Sequence, residues 1–267
     1  MTSYSYSTKQ AAATAGKTEF HIRGLTEGPE DIRFMIEAFD AALPELAAVG
    51  SGEQWGTVTF AQRPDKNEKL KVLEQARGYQ TTGEGDPIQI FIAEVEIPSP
   101  ATDELPASMR IRTDDDGKKF LAVGSVMLSE DIFPEYMKMQ FDQPTVKQAL
   151  DGTSDYVYLE ALITDFRTGS WRKGAGAALI ERCRQYCKEK GIKTIYLDGY
   201  AGNNRILPRR VISISDHGAM AQWCDMISNS SICRYYESQG FSLVQDCIFH
   251  LPDKIRTMAF FRMDVMK

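Results

Sequence analysis

A basic, glycine-bearing stretch, Ser170-Trp171-Arg172-Lys173-Gly174-Ala175-Gly176, is the first candidate for chemistry. A strand-like run from Tyr156 to Asp165 precedes it, and a helix-like run to Lys190 follows. Strand, loop and helix start together make a holder for phosphate. The first helical N–H groups lack intrahelical partners, and the helix dipole favours negative charge there. Gly174 and Gly176 let the backbone come close, while Arg172 and Lys173 add full positive charge. The other candidates are acids and phenols. Glu160 sits in an otherwise apolar strand, and Asp198 ends another, Thr194-Ile195-Tyr196-Leu197-Asp198. An acid in such a place is costly unless it is paired or used. Tyr236 belongs to a second motif, Arg234-Tyr235-Tyr236-Glu237-Ser238-Gln239-Gly240-Phe241.

Three nucleotide folds compete for the glycine loop. A P-loop needs Gly, four spacers and Gly-Lys-Ser/Thr. The loop lacks that run, and Gly16-Lys17-Thr18 has Ala11 where the first Gly belongs. A dinucleotide fold wants Gly or Ala where Leu179 stands, although Asp198 has the spacing of its ribose-binding acid. More than half of the chain also precedes the loop. A nicotinamide oxidoreductase therefore survives as a lesser reading.

The third competitor rests on both motifs together. They resemble the GNAT superfamily of acyl-CoA-dependent N-acyltransferases, which shows Gln/Arg-x-x-Gly-x-Gly/Ala after its fourth strand. That family later shows Asn, a Tyr seven residues on, and Gly-Phe after three more; Asn229, Tyr236 and Gly240-Phe241 keep this spacing. Trp171 departs from the usual Gln or Arg, and the loop from Asp165 to Trp171 lacks the common Pro. Extra residues between Asn204 and the Tyr helix leave either Asn204 or Asn229 as the family's Asn.

The resemblance implies an α/β fold with a twisted mixed sheet, splayed fourth and fifth strands, and helices on both faces. It implies acetyl transfer from acetyl-CoA to a primary amine of a small molecule, by direct transfer and without metal. The cofactor contacts it implies are Leu162 and Ile163 on the strand edge, Trp171, Arg172, Lys173, Gly174, Ala175 and Gly176 in the loop, and Asn229 and Tyr236. Gln54 and Trp55 fall where such enzymes meet the acceptor. A phenol titrates near 10 and a thiol near 8.5, so Tyr236 is the candidate general acid, with Tyr235 pointing about 100° away as its control. Glu160 leads as general base, ahead of Asp198; Glu94 and Glu96 come next, and a water chain could replace them. A non-catalytic CoA-binding or interaction module is the reading from a different class.

Composition narrows the setting. The 267 residues suit one large domain, and 43% apolar content supports a sizeable core. A net charge of −6 argues against nucleic acid and mildly favours a cationic substrate. No apolar run is long enough for a bilayer. Five cysteines, an odd number without framework spacing, argue for reduced thiols in a cytoplasmic protein. His21, His217 and His250 are scattered, with no zinc spacing. A monomer or homodimer is expected.

These residues need elements to position them. A tail over 1–18 precedes a single domain over 19–267, with insertions near 98–118 and 201–226. Strand patterns fall at 19–25, 88–97, 108–113, 119–128, 155–165, 193–200, 242–250 and 255–266. Helices are expected after Pro29 with an end or bend at Pro44, then at 67–77, 174–190 and 229–239. Asp116-Gly117 can close a hairpin, Gly191 suits a helix C-cap, and 134–151 reads as a polar connector with some helix. Gly50 to Gly56 is a loop carrying Gln54 and Trp55.

Overall fold

The computed structural model describes residues 18–98, 105–106, 108–201, 232–251 and 254–266. Its strands are β1 (His21–Arg23), β2 (Ile88–Ile97), β3 (Ile111–Thr113), β4 (Lys119–Glu130), β5 (Tyr156–Thr164), β6 (Thr194–Tyr200), β7 (Ser242–Leu251) and β8 (Lys254–Asp264). They form one sheet in the order β1-β2-β4-β5-β6-β8-β7, with β3 also on β4. Only β5 and β6 pair in parallel; every other pairing is antiparallel.

Six helices accompany the sheet among the described residues: α1 (Glu30–Ala48), α2 (Lys66–Thr82), α3 (Glu135–Lys138), α4 (Pro144–Leu150), α5 (Ala175–Lys190) and α6 (Ile232–Ser238). One face buries α5 through Leu179, Ile180, Cys183 and Cys187 against Val123, Val157, Leu159 and Leu197. The other face carries α1 and α2 through Phe34, Met35, Leu73 and Ala76, and an aromatic cluster around Tyr158, Tyr196 and Phe260. Helices therefore lie on both faces of a mixed sheet, as expected.

Two sequence expectations shift, and a third, the partly helical connector, is met. Pro44 does not end α1, because the last turn stays anchored by buried Leu43 and Leu46. The second helix runs on to Thr82, where Gly83 in the left-handed conformation stops it. The polar connector holds two short helices, α3 and α4, docked by buried Met137 and Val146. Gly191 caps α5 as expected, at φ 74°. Nearly all of the stretch over 201–226, residues 99–104 and 107 of that over 98–118, and both Asn204 and Asn229 lie outside the described residues.

Candidate active site

The site begins where two strands part. β5 and β6 pair from Tyr156↔Thr194 to Leu159↔Leu197 and no further. Beyond that rung each strand stays paired on its outer edge, β5 with β4 to Thr164 and β6 with β8 to Tyr200. Among the described residues, no strand pairs with the edges that face each other across the gap. Glu160 and Asp198 are the first residues past the last shared rung, one on each lip.

Glu160 is also the extra residue of a β-bulge. Leu128 pairs with Leu159 and Met127 with Ala161, so Glu160 has no opposite number on β4. Bulges re-aim side chains and interrupt alternation. Tyr156 and Tyr158 join the aromatic cluster, Leu162 packs on the α5 side, and Ala161 and Ile163 face α1. Simple alternation would have turned Ala161 and Ile163 toward α5.

Three hollows meet at this gap. A groove of about 310 Å³ runs over the glycine loop and is lined by Leu162, Ile163, Arg172, Lys173, Gly174, Gly176, Tyr235 and Tyr236. A cavity of about 260 Å³ shares Gln54, Trp55, Leu162 and Tyr236 with that groove, and adds Glu160, Asp198, Tyr136, Arg63, Lys69 and Arg256. A third, of about 500 Å³, shares Trp55, Arg63, Lys69, Tyr136, Glu160 and Ala161 with the second. Tyr236 stands at the first junction and Glu160 at the second, while Trp55 lines all three.

Local chemistry shapes the glycine loop. Buried Asp165 accepts from the Arg167 backbone N at 3.0 Å and from its Nη2 at 2.8 Å, and Arg167 Nη1 reaches Glu37 of α1 at 2.9 Å. This cap sets a 3₁₀ turn over Phe166–Arg172 in a loop that has no proline. Gly174 then takes φ 94°, a left-handed conformation, and α5 starts with no side chain capping it. A Cβ on Gly176 would lie 2.6 Å from the Tyr235 hydroxyl, so a side chain there would push that phenol aside. Arg172 lies over the Phe166 ring at 3.8 Å, and its buried Nε has no partner among the described residues. Trp171 is half-buried against the α5 core.

The two lip carboxylates differ from ordinary buried acids. Asp198 accepts hydrogen bonds from the Tyr158 hydroxyl and, at 3.0 Å, from the Tyr136 hydroxyl. Burial pushes Asp198 upward despite these phenols. Ser129 Oγ donates to Glu160 at 2.9 Å. Burial, reinforced by the Asp198 charge, pushes Glu160 up to about 7 against the pull of Ser129 and Lys69. Among the described residues no salt bridge reaches either acid. Tyr236 is buried against Phe241 and Phe261, and burial pushes its phenol upward.

No protein-family model matches the chain, and no curated protein does. Solved structures are similar to it at a distance. An N-acetyltransferase from Staphylococcus aureus Mu50 shares 13% identity at a TM-score of 0.46, covering 93% of this chain and 99% of that one. A ribosomal-protein-alanine N-acetyltransferase from Brucella melitensis shares 13% at 0.44, covering 91% and 99%. The PaiA N-acetyltransferase from Thermoplasma acidophilum, in complex with coenzyme A, shares 13% at 0.43, covering 92% and 99%. Likeness at this distance assigns no residue a role.

The structure brings Gln54, Trp55, Glu160, Leu162, Ile163, Arg172, Lys173, Gly174, Gly176, Asp198 and Tyr236 around the joined hollows. Glu94 is elsewhere, bound to Arg23 and Arg112, and Glu96 pairs with Lys118 at the surface. Tyr235 is no inert control, since it lines the groove with its hydroxyl over Gly176. Sequence reasoning missed Tyr136, Ser129, Arg63, Lys69 and Arg256. Period-two alternation puts Tyr158 on one face with Glu160, but it gives no sign that Tyr158 donates to Asp198.

Proposed function

We propose that the protein is a GNAT-type N-acetyltransferase, moving an acetyl group from acetyl-CoA to a small-molecule primary amine by direct transfer. One observation carries this reading: the β5 edge beyond Leu159 and the Glu160 carboxylate, which no salt bridge reaches among the described residues, line adjoining hollows that begin at the glycine loop.

The residues present fit the co-substrate. The Arg172–Gly176 loop offers free first-turn N–H groups, a buried guanidinium with an unused Nε, and Lys173 for a diphosphate. The Leu162–Ile163 edge offers backbone donors and acceptors to an amide-bearing arm. An amine arrives protonated at neutral pH and must lose that proton before attack. Glu160, poised near 7, is matched to take it. The amine nitrogen then bonds to the thioester carbon, and a backbone N–H of the open edge stabilises the oxyanion. The C–S bond breaks, the Tyr236 hydroxyl gives its proton to the departing thiolate, and the surplus proton on the new amide nitrogen returns to the Tyr236 phenolate. Asp198, with both phenols upon it, holds the lip of β6 in place and is not free to bind a ribose.

The buried free thiols of Cys183, Cys187 and Cys247 fit a reducing, cytoplasmic setting. Among the described residues no helix is long and apolar enough to cross a membrane. The deciding test combines calorimetry of acetyl-CoA binding with thiol release across an amine panel. Tight binding with turnover supports the reading; absence of both overturns it. Binding without turnover, unchanged by Tyr236→Phe, would instead mark a CoA-binding module.

A further inference from the structure

The acceptor end of the hollow has its own chemistry. The 500 Å³ cavity is within the range of small-ligand pockets, about 300–1,000 Å³. Its walls are largely apolar, with Ile36, Phe39, Phe60, Val72, Met127 and Ile132 among them. At the end shared with the reacting gap, two cations, Arg63 and Lys69, line the walls together with Glu160. Asp86 adds one more acid to the lining, which leaves the cavity balanced in charge.

Arg63 is held, not wandering. It lies over the Phe39 ring at 4.7 Å and donates through Nη2 to the Trp55 carbonyl, while Trp55 itself stacks on Phe39. Among the described residues no carboxylate pairs with it. Lys69 is tied only loosely, to Asp65 at 3.5 Å with both groups about half exposed, a contact of little strength. Two available cations flanking one base repel a polyamine and suit a molecule that carries its own anion next to its amine. The apolar walls require a bulky hydrocarbon group on the same molecule.

Resting on the acetyl-transfer reading, we infer that the acceptor is an α-amino acid with a bulky apolar side chain. Glu160 faces the amine, Arg63 and Lys69 hold the carboxylate, and the side chain fills the cavity beside Phe39 and Met127. A guanidinium suits a planar carboxylate, and a mobile ammonium completes the clamp.

The test compares L-phenylalanine, L-leucine, phenethylamine and spermidine as acceptors, by thiol release from acetyl-CoA. The expected kcat/KM for L-phenylalanine exceeds that for phenethylamine by at least about tenfold, the worth of one charge-assisted hydrogen bond. Lys69→Gln should raise KM for L-phenylalanine several-fold more than KM for phenethylamine. Arg63 also braces Trp55, so Lys69 is the cleaner probe. Equal or better turnover of phenethylamine or spermidine overturns the inference while leaving acetyl transfer intact. So does acetyl-CoA binding with no turnover of either amino acid. Failure of acetyl-CoA to bind overturns the reaction itself.

Discussion

Two pairs of carboxylates lie in or against this sheet, one fully buried and one half-buried, and they are treated in opposite ways. Asp31 and Glu94, both fully buried, are matched by guanidinium groups. Arg23 reaches Asp31 at 2.6 Å and Glu94 at 2.7 Å; Arg110 adds Asp31 at 3.2 Å, and Arg112 adds Glu94 at 2.9 Å. Burial alone would raise Asp31, yet the Arg23 and Thr26 hydrogen bonds overcome it and hold that carboxyl at about 2. Among the described residues no guanidinium or ammonium pairs with Glu160 or Asp198; hydroxyls donate to both, and both are pushed upward. A carboxylate locked to arginine is committed to structure. One left with hydroxyls in a cavity keeps a proton it can exchange near neutral pH.

That contrast should separate stability from activity. Glu94→Gln strips the network of one anion and leaves Arg23 and Arg112 partly uncompensated. The expected loss is about 3–5 kcal/mol in urea unfolding, with activity per folded molecule retained. A smaller stability change than about 1 kcal/mol would mean the network is not structural. Glu160→Gln should do the reverse. Gln keeps the Ser129 hydrogen bond but cannot take a proton, so kcat/KM should fall about 10²–10³-fold, and the rise in rate through pH 7 should vanish. Glu160 is raised in the folded protein, so its charge costs stability as pH climbs from about 4.5 through 7. The same variant should therefore gain about 2–3 kcal/mol at pH 8 and nothing at pH 4. Loss of stability at pH 8 would show that the carboxylate is paired after all.

The acid side of the comparison is gentler. Asp31 is depressed from its ordinary 3.8 to about 2, so its contribution is complete above pH 4 and fades as pH falls toward 2. About 2 kcal/mol should disappear across that window in the parent protein and remain unchanged in Asp31→Asn, measured by urea midpoints.

Much of this was legible in the chain. The succession of strands along the chain, the glycine loop and Glu160 follow from alternation, helix signals and an acid out of place. Sequence ranks Glu160 ahead of Glu94 as a base, but it does not show the partners that separate them. Their partners, Arg23 and Arg112 for one and Ser129 for the other, are chosen by sheet register. The bulge at Glu160 was also hidden, since it exists only as a mismatch between β4 and β5. Tyr136 lies in a segment whose polar composition gave no sign that α3 would drop a phenol onto Asp198. Asn229 stays outside the described residues and keeps only its spacing in the second motif.

Tyr236 gives the smallest and most discriminating effect. Its phenol is pushed upward by burial, so it remains protonated throughout the working range but is a reluctant acid. Proton donation from such a group to a thiolate has little driving force, so the contribution should lie at or below the low end of general-acid catalysis. Tyr236→Phe keeps the packing on Phe241 and Phe261 and should lower kcat about tenfold with KM for acetyl-CoA unchanged. Tyr235→Phe removes a hydroxyl that overlies Gly176 and should act on KM for acetyl-CoA instead. If the two variants exchange these effects, the proton donor at the gap is Tyr235, and the groove must thread the thioester past the other face of α6.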